Sequence, residues 1–274
     1  MKIQQHKLVA EAGDPAVKQL NTPNQGGTID PKYLIIHYTA GNSAESSINW
    51  LMNPQAKASA HLVIARDGKI TQLGSFNKAL WHAGKSRWAD LIGLNNYSIG
   101  IELDNSGRLT KAGEKYINVS GKVIPQNEVV LETHKHETQV QAWQNYTQAQ
   151  LEALKKVTLL LVNTYGLKDI LGHEDIAPFR KSDPGPAFPM ASFASQMLGR
   201  QDDSGEIYKT TVEDVNFRSA PEQVTTNVIG KLKKDTRLEY IKANGGWFNV
   251  FVVSGSPLLK EKIGWVHSTV IKRA

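Results

Sequence analysis

The sequence predicts an α/β domain followed by a small all-β module. Three observations predict it. Apolar runs with the look of buried strands, at residues 32–38 and 98–103, alternate with segments of helical period. One of those segments carries Leu151, Leu154, Val157 and Leu161 as a single apolar stripe, the signature of a helix packed on one face. Beyond residue 205 the helical period disappears, and short β-type runs separated by turns replace it.

The elements follow in order. Residues 1–30 read as a polar lead-in, with loop composition at Asn21-Thr-Pro-Asn-Gln-Gly-Gly27. A buried strand over 32–38 ends in His37. Ser43 is a sound N-cap for a helix bearing Ile48, Leu51 and Met52, which Pro54 ends. Asp67-Gly68, between His61–Arg66 and Lys69–Leu73, signals a hairpin. Residues 75–96 read as irregular, and 98–103 as a strand. The polar stretch 105–146 is expected to hold one short hairpin. Thr147 and Gln150 match a capping box at the start of the long helix, which should end within 163–166. Arg200–Gly205 reads as a polar linker. Strands are expected at 212–218, 236–241, 247–253 and 264–271.

Composition narrows the function. The chain has 274 residues, 40% hydrophobic and 21% charged, enough for one or two domains with a real core. The net charge of +6 draws a protein toward polyanions. That charge is spread out, the small run at Lys231, Lys233 and Lys234 reads as a solvated face, and no nucleic-acid-binding fingerprint accompanies it. No nucleic-acid partner is expected. With no cysteine, any metal must be held by His, Asp or Glu. Met1–Lys7 lacks the apolar core of a signal peptide, so export is expected to need a removed leader, a dedicated machine or lysis. No apolar run approaches the roughly 20 residues of a membrane span.

Chemistry concentrates in Gly172–Pro186, where His173, Lys181 and Asp183 share a loop stiffened by three prolines. His173 and Asp183 lie ten positions apart, and a loop that doubles back brings both to one point. Imidazole and carboxylate suit zinc, and a catalytic zinc uses three protein ligands with a fourth position open. His37, at a strand end, is the best third ligand. On spacing alone, a hydrogen-bonded structural histidine and a plain proline-rich loop are the commoner reading. His134 and His136 form a rival pair beside Glu137, expected to be solvated.

Five ordered blocks add a resemblance. They are Tyr33-Leu-Ile-Ile-His37-Tyr-Thr, Ser59-Ala-His61-Leu-Val-Ile, Trp81-His82-Ala-Gly84, Ser98-Ile-Gly-Ile-Glu102-Leu and Gly172-His173 through Lys181-Ser-Asp183-Pro-Gly185. Over about residues 30–195 the chain resembles the zinc-dependent N-acetylmuramoyl-L-alanine amidases related to peptidoglycan recognition proteins. The resemblance implies a mixed β-sheet flanked by helices and a zinc ion on His37, His173 and Asp183. It implies that Glu102, which points away from its apolar strand neighbours, acts as the base on a zinc-activated water, and that Lys181 stabilises the oxyanion. Trp81 and His82 are expected to bind substrate, through an indole face and an imidazole hydrogen bond, with core packing and a surface role as their alternatives. Ala60 stands where the phage-lysozyme branch has a tyrosine, which leaves Glu102 as the leading base.

Residues 206–274, through Val215–Pro221, Gly246–Val250 and Gly264-Trp-Val266, resemble bacterial SH3-type modules, implying a small β-barrel. The organisation expected is a lead-in at 1–30, a catalytic domain at 31–200 and this module at 206–274. Peptidoglycan or muropeptides are the expected partners of a monomer in the wall, periplasm or extracellular space. A cytosolic recycling amidase, a non-catalytic peptidoglycan-binding protein and an antibacterial lysin are the alternatives.

Overall fold

The computed structural model describes residues 1–199 and 207–274, so the stretch expected as a linker, 200–205, lies outside the described residues. The chain divides into two compact units, Met1–Met190 and Ala191–Ala274.

A six-stranded mixed sheet runs through the first unit, in the order Asp169–Gly172, Tyr33–Tyr38, Ser98–Leu103, Leu62–Ile64, Ile70–Gln72, Val17–Gln19. The first four strands are parallel. Leu62–Ile64 then pairs antiparallel with Ile70–Gln72 across the Asp67-Gly68 turn, and Val17–Gln19 adds a parallel edge. Leu34, Ile35 and Ile36 are all fully buried, as a parallel strand covered on both faces requires.

Two helices match their expected starts. Ser43 caps Ala44–Met52 by accepting from the Ser46 N–H, and Ser46 Oγ caps the Ser43 N–H in return. Leu51 and Ile48 pack on Ala60, Val63 and Leu73. Thr147 and Gln150 form the same reciprocal cap on Gln148–Tyr165, a feature worth about 1 kcal/mol. Gly166 ends that helix in the left-handed region, at φ 60°.

Two expectations are corrected, and one strand was not expected. Residues 1–30 are more than a lead-in: they carry the hairpin Lys2–Gln4 and Lys7–Val9, the sheet edge Val17–Gln19, and Gln25–Thr28 paired with Lys78–Leu80. Only Leu8 among their apolar side chains is buried, so backbone pairing holds them and hydropathy does not reveal it. Residues 105–146 hold more than one hairpin. Val123–Ile124, Lys115–Ile117, Arg108–Ala112, Val140–Gln144 and Val129–Thr133 form a five-stranded antiparallel sheet in that order, over Leu109, Tyr116, Ile124 and Ala142. Asp169–Gly172 is a further strand, too short and too polar at its start to stand out in the sequence.

The second unit begins with part of the helix Met190–Leu198. Its seven strands pair antiparallel in the order Val228–Leu232, Val215–Arg218, Ile263–His267, Trp247–Ser254, Arg237–Asn244, Ile207–Thr210, Ile271–Arg273. Val215, Phe217, Leu232, Leu238, Val250, Val252 and Val266 form its core. No helix among the described residues is long and apolar enough to cross a membrane.

Candidate metal centre

Three adjacent parallel strands end at one level. Register pairs Glu102 with His37 and Gly172 with Ile36, so His173 follows at the height of His37. The carboxyl edge of such strands is where crevices open in α/β sheets. Directly opposed residues point to the same face, so His37 and Glu102 share one.

The loop after His173 is folded back by its own polar groups. His173–Ile176 makes a single helical turn, and Asp175 Oδ2 accepts the Gly172 N–H at 2.7 Å. The Glu174 N–H donates to the Asp183 carbonyl at 2.9 Å. Tyr146 donates its hydroxyl to the Pro184 carbonyl, and Tyr38 shares a hydrogen bond with Ser182, each at 2.8 Å. Gly172 lets the two arms of the loop close up: a Cβ there would lie 2.7 Å from Pro184 Cδ.

These contacts bring His37, His173 and Asp183 together in the interior. Asp183 Oδ2 lies 2.8 Å from His37 Nδ1 and 3.0 Å from His173 Nδ1, and the two nitrogens are 3.0 Å apart. Burial pushes His37 down to about 4, and the neighbouring His173 pushes the same way, so the ring is neutral at pH 7. His173 donates its Nε2–H to the Ala83 carbonyl at 3.1 Å, which leaves Nδ1 as an acceptor.

The donor set fits zinc. His173 Nδ1 and Asp183 Oδ2 are two acceptors in contact, an arrangement that repels unless a positive centre joins them. Bonds of about 2.0–2.2 Å around a tetrahedral zinc set ligand atoms about 3.3–3.6 Å apart, which the 2.8–3.0 Å spacing here reaches with shifts of a few tenths of an ångström. Among the described residues this is the one group of three His, Asp or Glu side chains arranged to hold a metal ion.

The other expected site residues separate. Glu102 Oε2 is buried with no hydrogen-bond partner, and burial, then the charge of Asp183, push its carboxyl well above the usual range while Lys181 opposes them. Lys181 is exposed, and its charge bears on both Glu102 and His37. It lines a cleft of about 420 Å³ with Arg108, His136, Phe179, Arg180 and Ser182. Trp81 is partly exposed, at 36%. His82 is corrected: it is buried, and its ring lies between His37 and Ser98, so it presents no nitrogen to a substrate. His61 accepts the Gly100 N–H and donates to the Lys78 carbonyl, a fully satisfied structural histidine.

The expectation that His134 and His136 are solvated is also corrected. His134 is buried, stacks on Trp143 and hydrogen-bonds Glu174 at 2.6 Å, while His136 meets the Glu174 carbonyl. Lys135 pairs with Glu174 and Asp175 at 2.9 and 2.6 Å. The five-stranded sheet thus braces the turn that carries His173. The one trace in the sequence is charge complementarity between His134-Lys135-His136 and Glu174-Asp175.

Comparison with known proteins gives the family. A family model described as N-acetylmuramoyl-L-alanine amidase (Amidase_2) matches residues 27–186. The chain is similar to N-acetylmuramoyl-L-alanine amidase AmiD of Escherichia coli (strain K12), 33% identical over 200 residues, covering 69% of this chain and 62% of AmiD. It is 32% identical over 182 residues to 1,6-anhydro-N-acetylmuramyl-L-alanine amidase AmpD of the same organism, covering 60% of this chain and 80% of AmpD. The match therefore spans less than two thirds of AmiD's length. A solved complex of E. coli AmiD with anhydro-N-acetylmuramic acid-L-Ala-D-gamma-Glu-L-Lys superposes with a TM-score of 0.47 at 30% identity, covering 62% of this chain and 58% of that one. With more than half its length matched by one family model, this chain belongs to the N-acetylmuramoyl-L-alanine amidase family.

Proposed function

We propose that the chain hydrolyses the amide between the lactyl group of N-acetylmuramic acid and L-alanine, with a zinc ion on His37, His173 and Asp183. The observation that carries this reading is the buried convergence of two imidazoles and a carboxylate at 2.8–3.0 Å, beside an unpartnered carboxylate oxygen on Glu102. When bound, zinc supplies Lewis acidity that activates water and polarises the scissile carbonyl. Glu102 takes the proton from the attacking water at its Oε2, which no protein donor blocks. It later returns that proton to the leaving L-alanine nitrogen. Lys181 places its ammonium at the rim, where charge develops on the carbonyl oxygen. Trp81 offers a half-exposed apolar face to a sugar or stem peptide.

For the second unit we propose an SH3-type module over residues 206–274 that holds the catalytic domain on the wall. Its support is the resemblance in sequence and the seven antiparallel strands. Tethering raises effective concentration at an insoluble surface. The relatives named for 1,6-anhydro-N-acetylmuramyl-L-alanine favour a second reading, a recycling amidase for soluble anhydro-muropeptides. Action in the wall or periplasm remains our first proposal.

The test has two parts. Metal analysis is expected to find about one zinc per chain, lost to chelators and lost in His173→Ala. Mass spectrometry of digests of intact sacculi and of soluble muropeptides names the bond cut and ranks the two substrates. Full metal content and activity in His173→Ala would sink the ligand assignment.

A further inference from the structure

His37 is the ligand whose proton is not settled by its metal-side contacts, because its Nδ1 faces an acceptor on either side. A neutral imidazole carries one N–H. If that hydrogen sits on Nδ1 it donates to Asp183, and the nitrogen is closed to a metal. If it sits on Nε2, Nδ1 is an open lone pair. What lies behind the ring therefore decides whether the site is ready for a cation.

Behind the ring lies His82, its Nδ1 3.1 Å from His37 Nε2. The far nitrogen of His82, Nε2, faces two oxygens of Ser98, the carbonyl and Oγ, both at 3.4 Å. The carbonyl can only accept. Ser98 Oγ commits its own proton to the Leu94 carbonyl at 2.6 Å, so it too is an acceptor. His82 must therefore carry its hydrogen on Nε2, which makes its Nδ1 an acceptor. That acceptor draws the hydrogen of His37 onto Nε2. The chain of consequence runs from Ser98 through His82 to His37 and ends in a lone pair aimed at Asp183 and His173.

The fold reserves space for this device. Gly100, two residues along the strand from Ser98, is the floor beneath the His82 ring: a Cβ there would lie 2.3 Å from His82 Cγ, inside contact distance. His82 is buried, and its two nitrogens have only these partners among the described residues.

We infer that His82 is a positioning residue that fixes His37 as the Nε2–H tautomer and so opens His37 Nδ1 to the metal. The inference rests on the proposed zinc site. Such hydrogen bonds behind a ligating histidine are worth about 10–100-fold in metal affinity.

The experiment measures zinc affinity by competition with a chromophoric chelator, in the full chain, for the wild type, His82→Leu and His82→Asn. His82→Leu is expected to bind zinc about 10–100-fold more weakly, because the His37 hydrogen is then free to move to Nδ1 and donate to Asp183. His82→Asn puts a carbonyl oxygen near the place of Nδ1 and is expected to recover most of that loss. A role in packing alone would lower melting temperature in both variants and leave the zinc affinity of the folded protein unchanged. Nitrogen NMR of labelled histidines in the metal-free wild type reads the tautomer directly, whether or not the leucine variant folds. The expected result is His37 protonated on Nε2. Equal zinc affinity in the wild type and His82→Leu, or a hydrogen on His37 Nδ1 in the wild type, overturns this inference and leaves the zinc site standing. A wild type that binds no zinc removes the zinc site itself.

Discussion

Glu102→Gln removes the proposed base while touching little that the fold depends on. Oε2 is buried without a partner, and the side chain makes no hydrogen bond or ion pair among the described residues. The amide is nearly the same size, so no cavity opens and no donor loses its acceptor. The expected effect on catalysis is a loss of about 10²–10⁴-fold, equal to about 2.7–5.5 kcal/mol of barrier. The expected effect on stability has the opposite sign. Burial, then Asp183, raise the carboxyl well above its ordinary value of 4.5. A raised carboxyl favours the folded state below its unfolded pKa, and that contribution is lost as pH rises through the folded pKa. The variant has no such dependence. In metal-free protein its melting temperature should match the wild type near pH 4 and exceed it increasingly toward pH 8. The assay pairs turnover of a soluble muropeptide with thermal melts at several pH values and with zinc content, which should be unchanged. Near-normal turnover would refute the base. A variant clearly less stable at pH 8 would refute the account of an unpartnered buried carboxylate.

Lys181→Ala should keep its zinc and lose about 10²–10³-fold in turnover, the range for removing one oxyanion donor; equal turnover would leave the lysine as a solvated loop residue. His134→Leu strips a hydrogen bond from the buried Glu174 carboxylate, which Lys135 still holds at 2.9 Å. It should cost about 1–3 kcal/mol in urea unfolding, and Glu174→Leu added to it should cost less than its own effect alone. Truncation after Arg200 should reduce pelleting with sacculi and slow their cleavage, with soluble muropeptides cut near normally. A joint fall in melting temperature and in both activities would make the second unit a structural support instead.

What could be read from the chain alone was what short-range rules govern. Ser43 and Thr147 start their helices because each cap is settled within four residues. Ser98–Leu103 is a strand because its alternation is local, and His37, His173 and Asp183 carry their ligand chemistry in their residue types. The tertiary structure decided everything that depends on who lies opposite whom. Register places His37 beside Glu102, and the folded loop returns Asp183 to His173, which spacing only permits. His82 was expected at the substrate and lies behind His37, because neighbouring positions turn to different sides and only packing says which side is interior. His134 was expected in water and is buried because a second sheet, held by backbone pairing among polar residues, closes over the metal loop. Hydropathy records a side chain's preference for water. It does not record the hydrogen-bond partner that lets a polar side chain leave water, and that partner here lies 40 residues away in sequence.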